Sequence, residues 1–152
     1  MVQTLIQDFD EKVAKYADLD LDTFDHHFAY RDQLLDQGFQ PVKPLRFLRA
    51  CATEAVKEQI QYYHGLLMPS PKNLVANSQS NALNEDEKDT ASDIIDEYTA
   101  ILTKSRKVSL EPTEANETAF LEEVMTTWQQ TREQKRQILE AVDEHWEEQR
   151  NG

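Results

Sequence analysis

Side chains that could ligate a metal ion recur in the first half of the chain, and they are Asp22, His26, Glu54, Glu58 and His64. Asp22 and His26 are four residues apart, so a helix would present both on one face. Such ligands would suit a metal-dependent enzyme built in a helical bundle. The sequence has no HExxH motif and no Glu-x-x-His pair, because Gln61 stands three residues before His64. We therefore predict no metal site and keep this enzyme as the second alternative function.

Alternating aspartates at Asp18, Asp20 and Asp22 match the opening of a calcium-binding loop. The EF-hand loop needs a glycine at its sixth position and a glutamate at its twelfth. Counted from Asp18, those positions hold Thr23 and Ala29. The sequence therefore excludes this type of calcium site.

Nucleophilic and phosphate-binding chemistry find little support in the sequence. Cys51, the single cysteine, lies between Leu48 and Ala55 on an apolar helix face, where a thiol behaves as a small hydrophobe. The chain's three glycines are too far apart to form a glycine-rich phosphate loop. We predict no catalytic residue and no cofactor, and hence a protein that is not an enzyme.

The most informative pattern lies near the C-terminus, where apolar residues recur at alternating spacings of three and four. Arg132 and Lys135 interrupt this pattern, whereas a coiled-coil seam would be continuous. Two explanations stay open: the cations lie at the rim of the bundle and extend into solvent, or the seam meets another chain. Trp146 favours the second, because a large aromatic near a chain end needs a surface to cover it. We predict a partner-binding surface formed by Trp128, Arg132, Lys135, Leu139, Val142 and Trp146.

Helical periodicity predicts five helices that would position these residues, over about 2–17, 23–37, 44–68, 85–107 and 114–149. Asp22 and Asn84 are candidate N-caps of the second and fourth helices. Glycine and proline are scarce, with three and five in 152 residues, which argues against a β fold. We predict an all-α single domain over residues 1–152, an irregular four- or five-helix bundle with a mobile loop at about 69–84. The last helix would be about 54 Å long and would overhang the bundle.

The chain is strongly acidic, with 29 Asp and Glu against 16 Lys and Arg and a formal charge of -13. Because binding to phosphates needs cations, we predict no direct binding to nucleic acid or to an anionic membrane. Two stretches are predicted to form an acidic surface, and they are Asp18, Asp20, Asp22 and Asp25, and Glu140, Asp143, Glu144 and Glu147. This charge could serve solubility or a salty cytoplasm, attract a basic partner, or imitate nucleic acid. An acidic mimic that inhibits a DNA- or RNA-binding enzyme is the first alternative function.

No apolar run approaches the ~20 residues that cross a bilayer, and the first residues lack the basic start of a signal peptide. We therefore expect a cytoplasmic protein. The leading function is a non-enzymatic protein-interaction module, a small regulator, adaptor or inhibitor. Its C-terminal helix would bind a protein partner, such as a basic one, or a second copy of the chain in a homodimer.

Overall fold

The computed structural model describes residues 2–68 and 82–151 of the chain. Within these residues the protein is all-α and contains no strand, which confirms the predicted fold class. This part of the chain forms seven helices, which are α1 (Val2–Ala14), α2 (Leu21–Phe28), α3 (Tyr30–Gln37), α4 (Pro44–Leu67), α5 (Glu85–Leu110), α6 (Glu114–Gln130) and α7 (Arg132–Asn151). The predicted number of four or five helices is too low, because two predicted helices are each interrupted at one residue.

The described residues form two compact units. Unit 1 comprises residues 2–55 and 101–128, and unit 2 comprises residues 56–68, 82–100 and 129–151. A single domain over residues 1–152 and one irregular bundle both remain predictions. The predicted mobile loop at 69–84 lies outside the described residues, apart from residues 82–84.

Ala29 separates α2 from α3 and has a left-handed backbone conformation, with a φ of 52°. The periodicity predicted one helix here. In a straight helix Phe28 and Tyr30 would point about 200° apart, so they could not enter the same core. The left-handed residue removes this conflict, and Phe24, Phe28 and Tyr30 are all buried in unit 1. The Phe24 ring lies edge-to-face on the other two, at centroid distances of 4.7 and 5.9 Å.

Polar side chains cap the starts of α2 and α5. Asp20, and not Asp22 as predicted, is the N-cap of α2, where its carboxylate accepts a hydrogen bond from the Thr23 N–H at 3.1 Å. Asn84 caps α5 as predicted. Its Oδ1 accepts from the Glu87 N–H at 2.8 Å, and the Glu87 carboxylate accepts from the Asn84 N–H at 2.9 Å. This reciprocal pair is a capping box, which satisfies two amides that the helix leaves free.

Thr131 interrupts the helix predicted over residues 114–149, so the expectation of one unbroken rod is wrong. The side chain of Thr131 is buried, and its hydroxyl lies 2.7 Å from the Tyr98 hydroxyl of α5. The Thr131 carbonyl accepts a hydrogen bond from the Lys135 N–H at 3.0 Å, which is the role of an N-cap residue of α7. A tertiary hydrogen bond accompanies the break, and no glycine or proline marks it in the sequence.

Apolar side chains fill the interior of each unit. Buried residues of unit 1 include Phe9, Val13, Phe24, Tyr30, Leu34, Leu48, Phe120 and Leu121, and those of unit 2 include Tyr63, Leu66, Ile94, Tyr98 and Ile138. Burial of apolar surface is the main stabilising contribution, at about 25 cal/mol per Å². No helix in residues 2–68 or 82–151 is both long enough and apolar enough to cross a membrane.

Candidate functional site

The six residues predicted to bind a partner lie on two helices. Trp128 is on α6 in unit 1, whereas Arg132, Lys135, Leu139, Val142 and Trp146 are on α7 in unit 2. The break at Thr131 divides the predicted surface, so α7 alone carries five of its six members.

Trp128 is half-buried and has an internal packing role in unit 1. Its ring lies edge-to-face on Phe28 at a centroid distance of 4.9 Å, and its centroid is 6.4 Å from that of His27. Through this contact Trp128 packs the end of α6 against α2.

The inward side of α7 is part of the interior of unit 2. Ile138 is fully buried, and Val142 is 6% exposed. Val142 therefore packs inside its own unit, and the outer side of the helix is formed by other residues.

Lys135 is half-buried at the edge of this interior. Its ammonium nitrogen lies 4.8 Å from the centre of the Tyr98 ring, which is within range of a cation–π interaction. Burial lowers the pKa of Lys135 to about 8. Lys135 thus belongs partly to the core of unit 2, together with Tyr98 and Thr131.

One side of α7 is exposed and combines apolar with charged residues. Leu139 is 47% exposed, and Trp146, seven residues further on, is half-buried. Around Leu139 the helix lines a shallow, open concavity. At about 100° per residue, seven side chains fall within roughly a 100° sector, and the last of them along the chain is the exposed Arg150. We name the first six of them the α7 face, and they are Arg132, Arg136, Leu139, Asp143, Trp146 and Glu147.

Charge is ordered along the α7 face. Arg132 and Arg136 precede Leu139, and Asp143 and Glu147 follow it, with all four side chains exposed. The exposed Arg150 lies beyond Glu147 on the same side of the helix and is the one cation that follows Leu139 in this sector. Arg136 forms an ion pair with Glu133, which is also exposed, at 3.4 Å. Surface pairs of this kind contribute only about 0–1 kcal/mol, so Arg136 can exchange this partner readily.

The acidic residues predicted near the C-terminus, Glu140, Asp143, Glu144 and Glu147, are all exposed. The four acids predicted in the N-terminal stretch differ from one another in their surroundings. Asp18 is exposed, Asp20 caps α2, and Asp22 and Asp25 approach Arg31 at 2.8 and 3.9 Å. Hydrogen bonds from Thr23 lower the pKa of Asp20. Three of these four acids therefore have partners within unit 1.

The five possible metal ligands are divided between the units. Asp22, His26 and Glu54 belong to unit 1, and Glu58 and His64 belong to unit 2. Within the described parts of the chain, no group of three or more His, Cys, Asp or Glu side chains is placed to hold a metal ion.

Cys51 is buried in unit 1, where its Sγ donates a hydrogen bond to Gln33 Oε1 at 3.3 Å. Burial raises the pKa of this thiol to about 12. Because the thiolate is the reactive form, Cys51 is not activated as a nucleophile.

A buried ion pair is the feature of unit 1 that sequence analysis missed. Arg49 Nε lies 2.8 Å from Glu117 Oε2, and both side chains are at least nine-tenths buried. Arg49 Nη1 also donates to the Ser105 carbonyl at 3.1 Å and to the Ser109 hydroxyl at 2.9 Å. The available signal was the position of Arg49, four residues after Leu45 on the apolar side of α4.

A cavity of about 240 Å³ lies near the start of α4. It contains none of the residues selected from the sequence, and its lining offers no cysteine, serine or histidine as a nucleophile or base. The lining residues are Tyr16, Val42, Lys43, Pro44, Leu45, Arg46, Pro112, Glu114 and Glu117.

Comparison of the chain with protein families, with curated proteins and with solved structures found no match.

Proposed function

We propose that this chain is a non-enzymatic protein-interaction module, a small acidic cytoplasmic regulator, adaptor or inhibitor, that binds through the α7 face. One observation carries the proposal: Leu139 is half exposed between opposite charges on a helix whose other side is buried. The two sides of α7 therefore have different roles. Ile138 and Val142 hold the helix in unit 2, and Leu139 and Trp146 are available to a partner.

Apolar anchors of this type supply most of the affinity of an interface. Full burial of one leucine side chain contributes about 1.5–3 kcal/mol, and a few central residues dominate most binding free energies. The surrounding charges set orientation and association rate more than affinity. The α7 face has this composition, with two apolar residues and a charged rim.

We test the proposal by substituting two exposed leucines and measuring the yield of a cross-linked adduct with a partner. A photo-cross-linking residue replaces Glu140, beside the α7 face, and cross-linking is carried out in the source cells. Leu139→Glu places a charge at the centre of the α7 face. Leu110→Glu is the matched control, because Leu110 is 87% exposed at the end of α5, outside the α7 face. We expect one discrete adduct, at least ten-fold weaker in Leu139→Glu and in Trp146→Ala, and unchanged in Leu110→Glu.

Circular dichroism of each variant shows whether its helices are retained. An adduct of equal yield in Leu139→Glu and Leu110→Glu would contradict the proposal, as would the absence of any adduct. A nucleic-acid mimic would give another pattern. Its binding would tolerate Leu139→Glu and Trp146→Ala, and it would weaken steeply with added salt, because acidic residues would form the contact.

A further inference from the structure

The α7 face is complementary in charge to a reversed copy of itself. Along the helix axis, Arg132 and Arg136 lie about 10 and 5 Å before Leu139, and Asp143 and Glu147 lie about 6 and 12 Å after it. Each cation on one side of Leu139 therefore has an acid at a similar distance on the other side. This order is a property of the folded helix, because all four side chains are exposed on the same sector.

We infer that α7 pairs with α7 of a second copy of this chain, in an antiparallel arrangement with the two-fold axis at Leu139. The inference rests on the proposed function, because it uses the same α7 face and names its occupant. In this arrangement Leu139 meets Leu139 of the partner subunit. Arg136 lies opposite Asp143 of the partner subunit, and Arg132 lies opposite Glu147 of the partner subunit. The two-fold axis forms each of the two charge pairs twice and the Leu139 contact once.

Trp146 also finds a place in this arrangement. It lies about 10 Å beyond Leu139, at the same distance as Arg132 on the other side. An antiparallel partner therefore brings a guanidinium of the partner subunit's Arg132 to the indole of Trp146, where a cation–π contact forms. The exposed part of the indole is thereby covered by a chemically suitable group.

Charge complementarity also distinguishes between the possible binding partners of the α7 face. A parallel pair would place arginines against arginines and acids against acids, which is repulsive. A purely basic partner would be attracted by Asp143 and Glu147 but repelled by Arg132 and Arg136. An antiparallel second copy satisfies all four charges together. Two single helices make a small contact compared with a standard interface of about 1,600 Å², so we expect a dissociation constant in the micromolar range.

The test uses charge reversal in the full-length chain. Variant A carries Arg132→Glu and Arg136→Glu, and variant B carries Asp143→Arg and Glu147→Arg. The matched controls reverse exposed charges outside the α7 face, with Arg106→Glu plus Lys107→Glu for variant A and Asp93→Arg plus Asp96→Arg for variant B. Sedimentation equilibrium over a range of concentrations measures the mass. Circular dichroism confirms that each variant keeps its helices.

We expect the wild-type protein and both controls to dimerise. Variants A and B alone should dimerise at least ten-fold more weakly, because their cations or acids face like charges. A mixture of A and B should form a one-to-one heterodimer, and a chain with all four reversals should regain the homodimer. Recovery in the mixture cannot come from a general change in stability or solubility.

A wild-type protein that stays monomeric at every concentration would overturn the inference, as would variants A and B that dimerise like the wild type. The proposed function has its own separate outcome. One outcome combines a monomeric wild type with a cross-link to a different protein that Leu139→Glu still abolishes. In that case the proposed interaction function is supported, and the partner of the α7 face is not a second copy of the chain.

Discussion

Lys135 and Arg49 are both cations withdrawn from solvent, and the protein stabilises them differently. Arg49 has a carboxylate partner, Glu117, and three further acceptors within hydrogen-bond distance. Lys135 faces the ring of Tyr98, and burial lowers its pKa to about 8 from its ordinary value of 10.5. The lowered pKa means that the charged form of Lys135 is less stable in the folded protein than in water.

Lys135→Met should therefore stabilise the protein at neutral pH, since methionine keeps the apolar part of the side chain without its charge. We expect the free energy of unfolding at pH 7 to rise by about 1 kcal/mol, less than full desolvation would cost, because part of the side chain reaches solvent. Urea unfolding of both proteins measures the difference. Lys107→Met, at an exposed lysine, is the control and should change the free energy little.

The pH dependence of this difference has a definite sign. Below about pH 8 the folded and unfolded chains both hold the Lys135 proton, and the penalty is complete. Between about pH 8 and 10.5 the unfolded chain binds more protons, so the stability of the wild type rises with pH relative to Lys135→Met. The difference in free energy of unfolding between the wild type and Lys135→Met should disappear near pH 10.5. A difference that is constant across this range would show that Lys135 carries no such penalty.

Glu117→Gln should strongly destabilise the protein, because it leaves the buried Arg49 without its countercharge. We expect a loss of about 3–5 kcal/mol in the free energy of unfolding. Glu123→Gln is the matched control, since Glu123 is on the same helix, α6, and forms an exposed ion pair with Lys104 of α5. That change should cost less than about 1 kcal/mol. Equal losses in the two variants would contradict the assignment of a buried pair.

At the scale of elements, single residues divide two predicted helices without any glycine or proline at the division. Ala29 takes a left-handed conformation that lets Phe28 and Tyr30 enter the same core. Thr131 is buried and shares a hydrogen bond with Tyr98 of α5. Both interruptions are accompanied by tertiary contacts. The interruption at Thr131 makes α6 and α7 separate helices.

Ala29→Gly should stabilise the protein, because a residue with a Cβ is strained at a φ of 52° and glycine is not. We expect a gain of about 0.5–1 kcal/mol in the free energy of unfolding. Gly38→Ala tests the same physics in the opposite direction. Gly38 has a φ of 80° with open space around it, so the substitution introduces backbone strain without a steric clash.

Thermal or urea unfolding of these two variants measures both effects. We expect Gly38→Ala to lose about 1 kcal/mol. Opposite signs for the two substitutions are the decisive result. A loss of stability in Ala29→Gly would mean that residue 29 does not hold the left-handed conformation.

At the scale of the whole molecule, the formal charge of -13 opposes the pairing of two copies. Added salt screens this general repulsion, and it also screens the attraction between Arg136 and Asp143 of the partner subunit. The two effects of salt on dimerisation therefore oppose each other. Charge reversal on the α7 face is the sharper test, because its controls change the net charge by the same amount.

Local patterns predicted much of the secondary structure. The N-cap at Asn84 and the burial of Cys51 on its helix were both predicted from neighbours within a few residues, and the structure agrees with them. The N-cap of α2 was misplaced by two residues, because Asp20 and Asp22 have the same capping chemistry and similar neighbours. Of the predicted partner surface, Leu139 and Trp146 retain exposure on α7, whereas Val142 is buried and Trp128 packs on Phe28.

The sequence by itself determined that the chain is all-α, strongly acidic and without a recognisable catalytic motif, because helical periodicity, composition and short motifs are written in neighbouring residues. Only the tertiary structure decided where the helices break and which charges are buried. Thr131 and Tyr98 are 33 residues apart, and Arg49 and Glu117 are 68 apart. Contacts at such separations leave no periodic trace in the chain, since their free energy arises only when the fold brings the partners together.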